Sequence, residues 1–223
     1  MSQDQTWDDE ARDTLRATLQ FVILGETRLA KLGRAQILQL CREGYIEEVC
    51  PDVDQDAFLK FVANELNRAE IRHQTEMATW PAETDSDRLD RVESVLQDRG
   101  ILLWQASPCC DSCTYSELRD RIQVIDSRCP GFGDRMRGYA FFVDQAMPES
   151  LAEGGKLSIY LAFGWVPHGG ARADKATYEK NAIDIAHEVC ECLRKEGFDV
   201  DWDGSIDRKI CTSLNWQRRS MLE

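Results

Sequence analysis

The chain has 223 residues, 43% of them apolar, which suffices for a packed core in one large domain or two small ones without disulfide staples. Its 27 basic against 40 acidic side chains leave a net charge of −13, which opposes broad contact with nucleic-acid phosphates or an anionic membrane surface. The opening Met1-Ser-Gln-Asp-Gln carries no basic leader, and the longest apolar runs, Phe21 to Leu24 and Ala140 to Val143, are too short for a signal core or a membrane span, so a cytoplasmic protein is expected.

The first hundred residues read as helices. Thr6 with Asp9 resembles a capping box, followed by Leu15, Leu19, Val22 and Ile23 at helical spacing. Leu29, Leu32, Ile37, Leu40 and Cys41 form a second stripe, with Gly44 as the expected stop. A third helix begins near Asp54, carries Phe58, Phe61, Val62, Leu66, Ala69, His73 and Met77 on one face, and closes before Trp80-Pro81. Thr84 with Asp87 opens a fourth, which Gly100 ends. Residues 1–99 hold 12 Lys/Arg against 21 Asp/Glu, a net −9, so this half provides most of the field that would attract a basic protein partner.

After Gly100 the period changes to two. Ile101 to Ala106, Gly138 to Asp144 and Leu157 to Phe163 read as strands, and Ala173 to Glu196 as a helix stopped by Gly197. Phe198, Val200 and Trp202 alternate with Asp199, Asp201 and Asp203, Asp203-Gly204 turns the chain, and Ile210, Thr212 and Leu214 return as a terminal hairpin. The expected fold is α+β: an N-terminal helical region over residues 1–83, then a domain over 84–223 with a mixed or antiparallel sheet and packed helices.

Nine cysteines, an odd number, do not suit a secreted disulfide framework, and most are expected to be reduced packing thiols. Three of them cluster in Ser107-Pro-Cys-Cys-Asp-Ser-Cys-Thr-Tyr-Ser-Glu117, between a strand and a helix expected from Ser116 to about Ser127. A helix N-terminus favours thiolate, the form that metal binding and redox chemistry both require. As metal ligands, Cys110-x-x-Cys113 with Cys109 has the knuckle spacing of a zinc site, and the weaker candidates for a further ligand are Cys129, or His187 with Cys190 three residues on. As a redox pair, Cys110 and Cys113 have thioredoxin-like placement, although Cys109 crowds them and the strand order differs. As packing residues, all three would simply fill space at a strand end.

Other constellations carry less. His187 and Glu191 read as solvated helix surface, His73 as a satisfied core histidine, and His168 as part of the glycine-rich loop Gly164 to Asp174. No histidine stands in a recognisable relation to a nucleophile, and no phosphate-binding glycine loop is present, so enzymatic activity has no motif behind it. Two function classes follow: a non-catalytic interaction protein of immunity or adaptor type, or a thiol-based metal-binding (zinc) or redox protein built on Cys109, Cys110 and Cys113.

Several pieces, TDSDRLD at Thr84 to Asp90, Cys109-Cys110-x-x-Cys113, Gly138-Tyr-Ala-Phe-Phe142, Leu161-Ala-Phe-Gly164, Trp202-Asp-Gly-Ser205 and Trp216-Gln-Arg-Arg219, together resemble a bacterial family known only as a domain of unknown function. The resemblance spans residues 84–219 and implies a shared fold but no activity. That family's pattern has Cys, Gly, His and an acid where this chain has Ser86, Thr114, Val143 and Ala146, which implies a reduced or structural site here in place of a catalytic metal centre.

Overall fold

The computed structural model describes residues 7–154, 156–167 and 173–222, and they form two compact units. The first comprises residues up to Ala82 together with Ala146–Gly155 and Trp216–Glu223; the second comprises Glu83–Gln145 and Lys156–Asn215.

In the first unit, helix α1 (Asp9–Leu29) buries Leu15, Leu19 and Ile23 of the predicted stripe and also Leu29, which the spacing assigns to the next helix. Its cap is Asp8, whose side chain accepts from the Ala11 N–H at 2.9 Å; Thr6 lies outside the described residues, and Asp9 is already helical. Helix α2 (Arg34–Cys41) does not stop at Gly44 but runs through a π turn, Arg42–Ile46, into the short α3 (Glu47–Val49). The wider turn brings Ile46 fully into the core, and that burial outweighs the weak stop signal of one glycine. Helix α4 (Asp52–Met77) follows Pro51 and lays Phe58, Val62, Leu66, Ala69 and His73 inward. Asp54, expected at its start, lies in its first turn and accepts from the Trp7 indole at 2.6 Å and from Arg12 at 3.1 Å.

The second unit opens with α5 (Asp85–Asp98), capped reciprocally by Thr84 and Asp87 as the sequence predicts. Strand β1 (Ile101–Ser107), helices α6 (Asp111–Arg128) and α7 (Phe132–Arg135) and strand β2 (Gly138–Val143) follow. The short helix α8 (Met147–Glu153) then returns to the first unit. Strand β3 (Leu157–Trp165), helix α9 (Lys175–Lys195) and strands β4 (Val200–Asp201) and β5 (Ile210–Leu214) are the remaining regular elements among the described residues. The sheet order is β1-β2-β3-β5-β4, parallel between β1 and β2 and antiparallel elsewhere, so the fold is α+β with a mixed sheet.

Residue alternation separates the two faces of this sheet. Leu102, Tyr139, Phe141 and Ala162 pack with Ile125 of α6 and Phe132 of α7. Gly138, of opposite parity, faces α9, where an added Cβ would lie 2.6 Å from Ile185. Trp202 is half-buried, edge-on to Phe163 at 5.5 Å, and its indole donates to the Ser205 and Arg208 carbonyls at 3.0 Å. Its role is to hold the turn it begins.

In the first unit α8 lies so close on α1 that a Cβ at Gly25 would meet the Pro148 carbonyl oxygen at 2.1 Å, whereas one at Gly44 finds ordinary contact at 3.7 Å. Gly25→Ala is therefore expected to cost about 1–3 kcal/mol by overpacking. Gly44→Ala, inside a helical path, should gain about 0.5–1 kcal/mol. Urea unfolding followed by circular dichroism checks both signs.

Candidate functional site

The site grows from the way β1 ends. Pairing with β2 shifts register between Trp104 and Ser107, and two non-glycine residues nearby, Ala106 (φ 46°) and Cys109 (φ 61°), occupy the left-handed region. Such conformations cost on the order of 1 kcal/mol or more and persist only where the surroundings enforce them. Here the enforcing bonds are evident. The Asp144 N–H donates to the Ser107 carbonyl at 2.8 Å, and the Cys109 N–H donates to Asp144 Oδ1 at 2.8 Å. The fully buried Ser107 hydroxyl lies 2.8 Å from that of Thr114 and donates to the Phe142 carbonyl at 3.2 Å.

These bonds start α6 at Asp111, five residues before the expected Ser116, because Thr114 is anchored to the strand end, its hydroxyl donating to that of Ser107. Cys110 thereby becomes the N-cap, and Cys113 falls in the first turn. The three ligand sulfurs of Cys109, Cys110 and Cys113 lie within 4.8 Å of one another, with Cys110 Sγ 3.6 Å from Cys113 Sγ. Cys109 is exposed and the other two partly so.

The thiols are not equivalent. The Cys113 N–H holds the Cys110 thiol below its ordinary range, helped by the Cys113 thiol, the Ser112 N–H and the Cys109 thiol. Donation of its S–H to Cys110, and then to Cys109, pushes Cys113 up to about 11. The arrangement places the Cys110 sulfur at a helix N-terminus, where ionisation is favoured. Asp111, at the start of the same helix, is paired with Lys209 at 2.7 Å, so the segment carrying the WDGS turn reaches the first turn of α6. That turn is self-contained: Ser205 N–H donates to Asp203 at 2.9 Å, and Asp207 N–H to Ser205 at 3.1 Å.

Among the described residues, Cys109, Cys110 and Cys113 are the one group of three or more such side chains close enough together that they could hold a metal ion, and the weaker candidates do not join it. Cys129 caps the far end of α6, 19 residues from Cys110, about 28 Å away at helical rise, and accepts from Arg135 at 3.6 Å. His187 and Cys190 lie on α9 across the sheet. His187 is exposed, edge-on to Trp202 at 5.1 Å, while Cys190 is fully buried and pushed up to about 11 by that burial. Three positions apart on the helix, they still point to different surroundings. Cys41, Cys50 and Cys192 are buried packing thiols, as expected for most of the nine. His168 lies outside the described residues. Asp144 and Lys209 were not legible as site residues: they stand 35 and 98 positions from their partners, and no local pattern marks them.

A family model matches residues 10–220, nearly the whole chain. The chain belongs to that family, a domain of unknown function, DUF6891. The DUF6891 match begins well before residue 84, so the N-terminal helices are part of it as well as the sheet. Comparison with curated proteins and with solved structures gave no match. No described helix is long and apolar enough to cross a membrane.

The unequal thiols make an observable difference. Iodoacetamide at neutral pH should modify Cys110 about tenfold faster than Cys113, since alkylation needs the thiolate. Peptide mass spectrometry over time measures the two rates, and equal rates would reject the asymmetry.

Proposed function

We propose that the chain binds a thiophilic metal ion, zinc first, through Cys109, Cys110 and Cys113. The observation that carries this reading is the convergence of three sulfurs within 4.8 Å on a clamped loop. Two thiolates sharing a tetrahedral zinc stand about 3.8 Å apart for bonds of about 2.3 Å. The 3.6 Å between Cys110 and Cys113 needs little adjustment to reach that spacing. Three protein ligands leave the fourth position to water or another small ligand, as in an open site. Asp144 would act at one remove, orienting Cys109 through its main-chain N–H.

The test is metal content after purification without chelator, with Co²⁺ titration read by the thiolate-to-cobalt charge-transfer band. One equivalent is expected in the wild type and in Cys129→Ser, and none in Cys110→Ser. Asp144→Ala should weaken binding about tenfold by loosening Cys109. Because bound thiolates must be deprotonated and Cys113 starts at about 11, affinity should rise with pH across the neutral range. A Cys110–Cys113 disulfide in metal-free protein would replace the metal reading with a dithiol redox one.

The acidity of the first 99 residues, a net −9, supports a second reading: a non-catalytic interaction protein of immunity or adaptor type that takes a basic protein partner. Failure to retain any basic protein at low salt would count against it.

A further inference from the structure

Three sulfurs and nothing else make up the donor set of the thiol loop. Among the described residues, no histidine nitrogen or carboxylate oxygen joins Cys109, Cys110 and Cys113 within the 4.8 Å that their sulfurs span. The two acids that flank the loop are engaged in other bonds: Asp111 pairs with Lys209 at 2.7 Å, and Asp144 Oδ1 accepts from the Cys109 N–H at 2.8 Å. A zinc ion held here takes its fourth ligand from outside the group. An element that bonds in three directions and keeps a lone pair in the fourth is complete with the three sulfurs alone.

The geometry suits such an element. For bonds of about 2.3 Å, closing the angle between two sulfurs from tetrahedral to about 100° brings them from about 3.8 Å to about 3.5 Å apart. Cys110 and Cys113 stand at 3.6 Å, between the two. Cys109 is within reach of both, since its thiol shares a hydrogen bond with each. It is exposed and the other two are partly so, and a direction that carries only a lone pair needs no protein partner there. The loop is also shaped before any ligand arrives, by the Ser107 to Thr114 bond and the positive φ of Cys109, so the second and third bonds form within one tethered unit at high effective concentration. Sulfur is the donor that soft, thiophilic elements prefer.

We propose that Cys109, Cys110 and Cys113 together bind trivalent arsenic, presented as arsenous acid. This rests on the reading of the cluster as a joint ligand and extends it from a metal ion to a metalloid. The reaction is a condensation without change of oxidation state: one arsenous acid and three thiols give one arsenic tris-thiolate and three waters. Three As–O and three S–H bonds break, three As–S bonds form, and each hydroxide leaves as water with a thiol proton. No oxidant or reductant takes part. An arsenical with an As–C bond can use only two of the sulfurs, so the inorganic acid is the form that matches all three.

Intact-mass spectrometry of the reduced full chain with sodium arsenite tests it, alongside Co²⁺ titration of the same preparation. The expected adduct is one arsenic gained and three hydrogens lost per chain. It should form in the wild type and equally in the double variant Cys129→Ser with Cys211→Ser, which removes the two other partly exposed thiols. Cys109→Ser, at an exposed position, should weaken arsenite binding about a hundredfold in competition with a small dithiol, with circular dichroism unchanged. Should Cys109→Ser not fold, Cys113→Ser provides the same test. No adduct, an adduct that keeps an As–OH group, or wild-type affinity in Cys109→Ser would overturn the proposal. Arsenic bound without cobalt leaves the proposal standing and removes the zinc reading, whereas cobalt bound without arsenic does the reverse.

Discussion

Ser107 is the last residue of β1, and the bonds around it govern where the next helix starts. Its carbonyl takes the Asp144 N–H, and its hydroxyl is shared between the Phe142 carbonyl and the Thr114 side chain. Because Ser107 and Thr114 are both fully buried, no solvent contact makes up for this pairing, and losing it would cost about 0.5–1.5 kcal/mol. The six residues between them are thus forced into a tight path. Cys109 takes a positive φ, Cys110 becomes the helix cap, and the three sulfurs converge.

Electrostatics at the cluster is a local contest that the helix wins. The chain is strongly acidic, which disfavours any thiolate, yet Asp111, next to Cys110 in the chain, is paired with Lys209. Exposed charges farther than about 10 Å are screened at ordinary salt, so the −13 overall weighs less at Cys110 than the N–H groups of Ser112 and Cys113 that point at its sulfur. The result is an asymmetry: of the two thiols, Cys110 is the easier to ionise and Cys113 the harder.

The helical unit relies on close approach. Gly25 lets the Pro148 backbone sit against α1, and Arg28, half enclosed, ties the C-terminal end of α8 to α4 by donating to the Leu151 carbonyl at 2.7 Å and to Glu76 at 2.6 Å. Glu76 is held below its ordinary range by Arg28 and Arg72 despite the opposing effect of burial. The contacts of α8 with α1 join segments more than a hundred residues apart, and the C-terminal Trp216 bond to Leu29 spans 187 positions. A helical hairpin packing on local stripes alone would have needed none of them.

Elements whose signals are local were legible in the chain. The Thr84 and Asp87 box, the inward stripe of α9 from Ala182 to Leu193, and the alternation of β3 arise from periods of 3.6 and 2 that any core would select. The sequence also marked the cysteine cluster as the place to look and set it near a helix start, since three thiols in five positions need no partner to be noticed. Where the outcome depended on burial, local signals lost: Gly44 did not end its helix because Ile46 gained the core, and Ser116 did not begin α6 because Thr114 was anchored to Ser107. Only the tertiary structure decided which candidates share the site, setting Asp144 beside Cys109 and leaving Cys129, His187 and Cys190 elsewhere. Spacing along a chain fixes neighbours within a turn or a strand, whereas neighbours across a sheet are fixed by register and by which face of each helix is apolar enough to be buried.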